Sequence, residues 1–300
     1  MKQTSENRPE PAVSGASAYL TTREVADLLR VKERKVYDLA AAGEIPHRRI
    51  TGKLLFPATE IHAWIEGAVP ASHAQRPNVL TGSHDPLLDW AVRESGSNLA
   101  TLWNGSLPGV DAFAKGRAAL AGLHVPESDG WNLNTVASCG LTGSVLISWA
   151  VRARGLLVAS DHDGKARCFA DLRGMRVVRR QPGAGAAALF DRLMAEADLK
   201  ESDITMADGF ARTETDAAAM VAAGEADAAL GIGAMARQFH LGFVPLLDEN
   251  FDLLMDRRAY FTEPVQRLLA FTRSEAFHGK AAAMGGYDVT RTGEVRWLSP

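Results

Sequence analysis

Apolar residues recur at helical spacing in two short segments near the start of the chain. The capping-box sequence Thr21–Glu24 precedes the first segment, and a second helix is predicted from Lys32 or Glu33 to Ala42, with Gly43 as its stop signal. The inward-facing positions of the two predicted helices are Val25, Leu28, Leu29, Val36, Leu39 and Ala40. Two short helices in this order are typical of a helix-turn-helix.

The pattern changes to alternation immediately afterwards. Residues 44–56 read as two short strands around a Thr51-Gly52 turn, and a third helix is predicted near Pro57, with Ile61, Trp64 and Ile65 packed inward. The sequence therefore predicts a winged helix-turn-helix.

Strand, glycine-rich turn and helix then repeat along the chain. Short apolar runs end at Gly82-Ser83 and at Asn104–Gly109, and residues 119–125 form a third predicted strand. Longer extended runs at 145–151, 155–159, 243–246 and 251–255 predict crossings between two lobes, and residues 286–297 predict a terminal hairpin. The expected fold class is α/β, with the winged helix-turn-helix followed by a two-lobed clamshell.

The most informative loop follows the β-branched pair Val177-Val178. Gly183-Ala184-Gly185-Ala186 leads directly into a helical pattern, so backbone N–H groups at that helix start can bind an anion. In α/β sheets, ligands collect where strands end and helices begin. Ser83, Ser106 and Thr213 follow comparable turns, and we expect them to meet the Gly183 loop in one cleft. The alternative for each hydroxyl is a turn or helix-capping role.

Changes in composition and Pro/Ala-rich segments set the expected domain limits. Residues 1–17 lack periodicity and read as a disordered tail, 18–67 as the winged helix-turn-helix, 68–78 as a Pro/Ala linker and 79–300 as the ligand-binding domain. Lobe 1 is expected at about 79–160 and 248–300, and lobe 2 at about 161–247.

A net charge of -3 means that any nucleic-acid site must be a local basic patch. Basic residues cluster at the start of the second helix and on the wing, which suits a helix in the major groove with the wing on adjacent phosphates. The alternative is a solvated surface on a protein-interaction module. The candidate DNA-binding residues are Lys32, Arg34, Lys35, Tyr37, Arg48, Arg49 and Lys53.

Residues Tyr19 to Phe56 carry the order YLTxxEVAxLLxV…VYxLxxxGxIP…RxxGxxxF. This segment resembles the excisionase-like branch of the MerR-type winged helix-turn-helix domains. The resemblance implies binding to double-stranded DNA.

The second domain contains seven motifs that follow one another in the order found in a known family. They are Gly82–Pro86, Gly105–Gly109, Leu120–His124, Arg154–Leu156, Asp171-Leu172 with Arg180–Gly185, Gly224–Gly231, and Phe243–Leu246 with Glu249–Leu253. The domain resembles cytoplasmic relatives of periplasmic molybdate- and tungstate-binding proteins that are fused to a helix-turn-helix. That resemblance implies a type II periplasmic-binding-protein-like clamshell and a transcription regulator that senses a tetrahedral oxyanion or its derivative.

The Gly183 loop departs from the pattern of this family, which is typically Gly-Ser-Gly-Thr followed by Arg. Two hydroxyl donors and a cation are missing here, and Glu214 stands where a histidine usually follows the matched Thr213. Candidate ligands are therefore molybdate or tungstate, or a larger molybdenum-cofactor species or other anionic metabolite, with Arg180 and Arg212 on phosphates. Trp103, Trp131 and Trp149 are ring-stacking candidates, with core or hinge positions as the alternative. The expected ligand-binding residues are Ser83, His84, Ser106, His124, Arg180, Gly183, Ala184, Gly185, Ala186 and Thr213.

Other chemistry has little support in the pattern. Cys139 and Cys168 are far apart without metal-site spacing, so we expect reduced thiols, no metal site and no covalently bound cofactor. The chain has neither a signal-peptide-like apolar segment nor a run of membrane-spanning length, so we expect a cytoplasmic protein with no membrane partner.

The sequence thus predicts a homodimeric, ligand-responsive transcriptional regulator without catalytic residues. One alternative is a molybdenum-cofactor or metabolite storage protein whose helix-turn-helix contacts a protein partner, and another is an enzyme. The operator, the sign of regulation and the identity of the ligand stay open.

Overall fold

The computed structural model describes residues 18–50, 52–65, 76–160, 164 and 166–299. The predicted tail 1–17 and most of the predicted linker lie outside these residues. The chain divides into two compact units, Met1–Ala74 and Gln75–Pro300.

The N-terminal unit is a winged helix-turn-helix with a small antiparallel sheet in the order β1-β3-β2. Its elements are β1 Tyr19–Thr21, α1 Thr22–Leu29, α2 Glu33–Ala41, β2 Arg48–Ile50, β3 Lys53–Pro57 and α3 Ala58–Ile65. The predicted capping box forms, because Glu24 N donates to Thr21 Oγ1 at 3.3 Å and Thr21 N donates to Glu24 Oε2 at 2.7 Å.

The core of this unit is small and centres on Val25, Val36, Phe56 and Ile61. Leu28 and Ile65 were predicted to face inward, and that prediction is wrong, since they are 42% and 45% exposed. A short two-turn helix buries only a narrow stripe, and positions at the margin of the stripe stay in solvent.

A sheet of ten strands organises the second unit, in the order β11-β10-β12-β9-β13-β6-β4-β5 with β14 and β15 also paired to β9. Its strands are β4 Val79–Gly82, β5 Ala100–Trp103, β6 Leu120–Leu123, β9 Ser144–Val158, β10 Arg176–Val178, β11 Thr205–Met206, β12 Ala228–Ile232, β13 Gly242–Asp256, β14 Tyr287–Asp288 and β15 Val295–Leu298, and a separate ribbon holds β7 Pro126–Glu127 and β8 Gly130–Trp131. Its helices are α4 Pro86–Glu94, α5 Ser106–Ala114, α6 Leu133–Ala137, α7 Gly185–Glu196, α8 Glu214–Ala222, α9 Gly233–Phe239, α10 Glu263–Phe271 and α11 Glu275–Met284.

Two long antiparallel strands, β9 and β13, connect two lobes. The parallel strands β4, β5 and β6 continue the sheet at one end of this pair, which we call lobe 1, and β10, β11 and β12 continue it at the other end, lobe 2. Each lobe has its own apolar core, around Leu80 and Phe251 in lobe 1 and around Val177 and Leu189 in lobe 2. This is the predicted α/β clamshell.

The four runs predicted to cross between the lobes are confirmed as extended and join into two continuous strands, whereas the terminal hairpin needs correction. Residues 145–151 and 155–159 belong largely to one strand, because Gly155 lies in the sheet, where a Cβ would stand 2.1 Å from the Val244 carbonyl oxygen. Likewise, 243–246 and 251–255 are parts of the single strand β13. The terminal hairpin is wrong, since β14 and β15 each pair with β9 and cover its edge in lobe 1.

Arg76 lies at the end of the predicted linker but belongs to the second unit. Its guanidinium pairs with Asp256 at 3.2 Å and stacks 4.2 Å from the centroid of the Phe113 ring. These contacts fix the start of the second unit.

Candidate ligand-binding cleft

Two buried hydroxyls meet where strands of lobe 1 end. Ser83 follows β4, Ser106 begins α5, and their Oγ atoms lie 2.7 Å apart. The backbone N–H of His124, just after β6, donates to Ser106 Oγ at 3.2 Å. The parallel strands β4 and β6 thus bring three predicted ligand-binding residues together.

The Gly183 loop of lobe 2 lies directly against this group. Leu107 N donates to the Gly183 carbonyl oxygen at 3.2 Å, and a Cβ on Gly105 would stand 3.2 Å from Ala184 N. A Cβ on Gly185 would stand 2.2 Å from the His124 carbonyl oxygen. Such close backbone approach requires glycine at these positions, and it shows that the two lobes are closed on each other at this point.

Helix α7 begins in the contact zone with its first N–H groups uncapped. Gly183 has φ 81°, which turns the chain, and Gly185 and Ala186 are buried helical residues preceded by Ala184, which supplies no side-chain cap. First-turn N–H groups have no intrahelical acceptor. The predicted loop and helix start are therefore confirmed, and their free donors suit an anion.

His124 lies in the wall of this contact zone with its side chain fully buried. Its Nδ1 lies 3.0 Å from Glu249 Oε2, and its ring stacks on Phe251 at a centroid distance of 5.7 Å. Nε2 has no hydrogen-bond partner among the described residues. Burial lowers the pKa of His124 below its ordinary value, so the ring is neutral near pH 7.

His84 lies on the lobe 1 side of the cleft and is 7% exposed. Its ring meets Trp103 edge-on at 5.5 Å between centroids, and its Nδ1 is buried without a partner among the described residues. Burial also lowers the pKa of His84, with Asp85 and Glu214 opposing that shift.

A chain of buried ion pairs starts at Asp85, which caps α4. Asp85 Oδ1 accepts from Leu88 N at 2.8 Å and from Trp149 Nε1 at 3.0 Å, while Oδ2 accepts from Arg152 Nη1 at 2.9 Å. The Tyr287 hydroxyl also donates to Asp85 Oδ2, at 2.7 Å. Trp149 is thereby a core residue, the alternative stated above for its ring.

The chain of ion pairs continues across the two connecting strands. Arg152 and Arg154, both on β9, each donate to Glu249 Oε1 on β13. Burial alone would raise the pKa of Glu249, but the two guanidiniums hold it well below its usual range. Glu249 is therefore a carboxylate at neutral pH.

Glu214 ends the chain in lobe 2. It accepts from Arg154 at 3.0 Å and 3.1 Å, and from Arg180 Nη1 at 2.6 Å. Burial would raise the pKa of Glu214, but Arg154 and Arg180 lower it below its usual value. Arg180 Nε and Nη2 donate to the carbonyl oxygens of Ala211 and Arg212.

The six ionic side chains of this network balance in charge. Three guanidiniums, Arg152, Arg154 and Arg180, face three carboxylates, and all six side chains are at most 6% exposed. A buried network with no net charge presents no uncommitted cation to a ligand.

Thr213 performs the alternative role stated above. Its Oγ1 accepts from Asp216 N at 2.9 Å and caps α8. Arg212 was predicted as a phosphate-binding side chain. Its side chain is exposed, and it is the Arg212 carbonyl oxygen that accepts a hydrogen bond from Arg180.

Arg154 and Glu249 stand in two of the seven motifs but had no predicted role, Arg152 was not predicted at all, and Glu214 was considered only as a repulsive group. One signal was available, since Arg152 and Arg154 are two residues apart in an otherwise apolar run, which puts both on one face of a strand. Their carboxylate partners lie far away in sequence and gave no local signal.

The candidate DNA interface lies in the first unit. Lys32 is the N-cap of α2, and Arg34, Lys35 and Tyr37 are exposed on its first two turns. On the wing, the strand register places Arg48 and Lys53 on one face and Arg49 on the other. Arg48 pairs with Glu60 at 2.8 Å.

The described residues lack two further kinds of feature. They contain no helix long and apolar enough to cross a membrane. They also hold no group of three or more His, Cys, Asp and Glu side chains placed to bind a metal ion.

Comparisons with known proteins fit this architecture. The model of the PBP superfamily domain matches residues 89–273, and the model of a helix-turn-helix domain matches residues 19–68. The uncharacterized protein YvgK of Bacillus subtilis (strain 168) is 25% identical over 303 residues, which cover 92% of this chain and 96% of that protein.

Solved structures are similar to the second unit. A putative phosphate ABC transporter substrate-binding protein with bound phosphate, from Clostridium perfringens, has a TM-score of 0.51 at 12% identity, over 71% of this chain and 98% of that one. The regulatory domain of MetR, a LysR family regulator from N. meningitidis, has a TM-score of 0.49 at 12% identity, over 70% of this chain and 96% of that one. The superfamily model thus matches more than half of the residues of this chain. The chain therefore belongs to the PBP superfamily and carries a helix-turn-helix domain ahead of the superfamily domain.

Proposed function

We propose that this protein is a ligand-responsive transcriptional regulator. Its winged helix-turn-helix binds double-stranded DNA, and its clamshell binds a small anionic ligand between the lobes. One observation carries the proposal: the Ser83–Ser106 hydroxyl pair of lobe 1 faces the uncapped start of α7 in lobe 2. Hydroxyls and helix-start N–H groups are suited to oxyanion oxygens.

Closure of the lobes is the proposed signal. The contact between Gly105 and Ala184 and the hydrogen bond from Leu107 to Gly183 join the two lobes, so a ligand that bridges them stabilises the closed form. We propose that closure changes the DNA affinity of a cytoplasmic homodimer, since a single short recognition helix gives limited affinity. The proposed role involves no catalytic step.

The candidate ligands are molybdate or tungstate, or an anionic metabolite such as a molybdenum-cofactor species. The resemblance of the seven motifs to molybdate- and tungstate-binding proteins supports molybdate or tungstate. The alanines of the Gly183 loop and the commitment of Arg180 to Glu214 favour an anionic metabolite, because the site then offers a dianion fewer charged donors.

A calorimetric and thermal-shift panel with molybdate, tungstate, sulfate, phosphate and extracted molybdenum cofactor tests the ligand role. We expect saturable stabilisation by at least one of them, and about 5- to 100-fold weaker binding in Ser83→Ala and Ser106→Ala, since each removes a buried hydrogen bond. Ser95→Ala is the control, because the Ser95 hydroxyl bonds only to the carbonyl oxygen of Val92 on lobe 1. Unchanged affinity in both cleft variants would contradict the site.

A further inference from the structure

His124 offers its ligand an acceptor and not a donor. The Glu249 carboxylate can only accept, so the Nδ1 that lies 3.0 Å from it must carry the hydrogen. Because the buried ring is neutral, Nε2 then has a lone pair and no hydrogen. This Nε2 is fully buried and unpartnered among the described residues.

The backbone and the Nδ1 edge of His124 lie at the start of α7. The His124 backbone donates to Ser106 Oγ, and a Cβ on Gly185, the first residue of α7, would stand 3.0 Å from His124 Nδ1. The unpartnered Nε2 belongs to the same ring, which therefore adds a buried acceptor to the residues that border the donors at Ser83 and α7.

The ionic network also restricts the charge of the ligand that the cleft can bind. Its three guanidiniums are matched by Asp85, Glu214 and Glu249, and none of the six side chains is free to neutralise a dianion. An incoming double charge would meet hydrogen-bond donors but no uncompensated cation.

We infer that the ligand of this cleft is an anion that carries its own hydrogen-bond donor, rather than a proton-free tetrahedral dianion. The inference rests on the proposed ligand-binding role of the cleft and narrows its chemical class. A donor on the ligand pairs with His124 Nε2, while its anionic oxygens accept from the Ser83 hydroxyl and the α7 N–H groups. A proton-free dianion leaves His124 Nε2 unpaired and places a second acceptor beside it.

Two pairs of anions of similar size separate a ligand that carries a proton from a proton-free dianion: phosphate against sulfate, and arsenate against selenate. Phosphate and arsenate keep a proton near neutral pH, whereas sulfate and selenate do not. An unpaired buried acceptor costs about 1–3 kcal/mol, so we expect phosphate and arsenate to bind at least about tenfold more tightly than their partners. Molybdate belongs with sulfate in this comparison.

The test is a titration of the full chain, labelled with ¹⁵N-histidine, with these anions, followed by long-range ¹H–¹⁵N correlation spectra. His124→Asn identifies the His124 signals, and exposed His278 is the internal control. We expect the Nδ1–H tautomer for His124 in the free protein, and a shift of its Nε2 signal with phosphate or arsenate at concentrations where sulfate and selenate cause none.

The outcomes distinguish this inference from the function on which it rests. An Nε2–H tautomer, or sulfate or molybdate binding as tightly as phosphate, would overturn the inference and leave the ligand-responsive regulator standing. A protein that responds to none of the anions would contradict the proposed anion site and the inference together.

Discussion

Glu214 determines the charge of the cleft. It is a fully buried carboxylate shared by Arg154 and Arg180, and it supplies one of the three negative charges that neutralise the three guanidiniums of the network. The sequence suggested a group that repels an anion, and the structure shows instead a group that is already paired. The proposed ligand class therefore depends on Glu214 as well as on His124.

Replacing Glu214 with Gln should destabilise the second unit and widen its ligand range. Arg180 loses its carboxylate while Arg154 keeps Glu249, so the network gains one net positive charge, and removing one partner of a buried pair costs about 3–5 kcal/mol. The uncovered charge should also increase affinity for sulfate at least about tenfold. Denaturant unfolding and calorimetry measure the two effects, with exposed Glu225→Gln as the control. Sulfate affinity equal to that of the wild type would contradict this account of Glu214.

The two cleft histidines predict a pH dependence of stability. Burial lowers the pKa values of His84 and His124 below 6.5, so each contributes stability that is present above pH 6.5 and is lost as the pH falls through the folded-state pKa. Between about pH 7.5 and about pH 5.5 the free energy of unfolding should therefore fall, with a slope of up to about 1.4 kcal/mol per histidine and pH unit, and thermal unfolding should show a falling Tm.

The variant His124→Asn should reduce that slope, and His278→Asn, at an exposed position, should leave it unchanged. Equal slopes in the wild type and His124→Asn would contradict the neutral state of His124.

At the scale of elements, the start of α7 joins the lobes. Gly185 has no room for a Cβ, which would stand 2.2 Å from the His124 carbonyl oxygen, whereas Gly279 on α11 has open space around it. Gly185→Ala should therefore hold the lobes apart, with at least a tenfold loss of ligand affinity and a larger radius of gyration in small-angle scattering. Gly279→Ala is the matched control and should bind ligand normally. Normal affinity in Gly185→Ala would show that closure at this point is not required.

Helix α2 and the wing form the predicted DNA interface. The double variant Arg34→Ala/Lys35→Ala should weaken DNA binding across sequences and reduce the slope of log affinity against log salt by about 0.9 for each phosphate that the variant no longer neutralises. Lys115→Ala/Arg117→Ala removes the same charge from exposed positions in the second unit and is the control. An unchanged, salt-insensitive affinity in the first variant would favour a protein partner for the helix-turn-helix.

Local patterns predicted the elements that depend on local physics. The Thr21 capping box and the helix start after Gly183 follow from hydrogen bonds and φ angles within a few residues, and both were readable from the sequence. The pairing of β15 with β9 and the bond between Arg152 and Glu249 depend on residues about a hundred or more positions apart. No periodicity within a single segment specifies such a pairing, so the hairpin was misassigned and half of the ionic network was missed.

At the scale of the whole molecule, a chain of buried ion pairs joins the two lobes through the connecting strands. It runs from Asp85 in lobe 1, through Arg152, Glu249 and Arg154 on the connecting strands, to Glu214 in lobe 2. We propose that a ligand stabilises the closed lobes. Buried ion pairs then link both lobes to both connecting strands. Allosteric coupling of this kind is typically worth about 1–3 kcal/mol.

The central claim is that ligand binding in the cleft changes DNA binding by the same chain. Fluorescence anisotropy of the full chain on promoter DNA, with phosphate, with molybdate or in ligand-free buffer, measures it directly. We predict a change of about 5- to 150-fold in DNA affinity with the anion that binds, and no ligand-dependent change in Gly185→Ala, because its lobes cannot close. Superimposable DNA-binding curves for the wild type, with and without a bound ligand, would contradict the account.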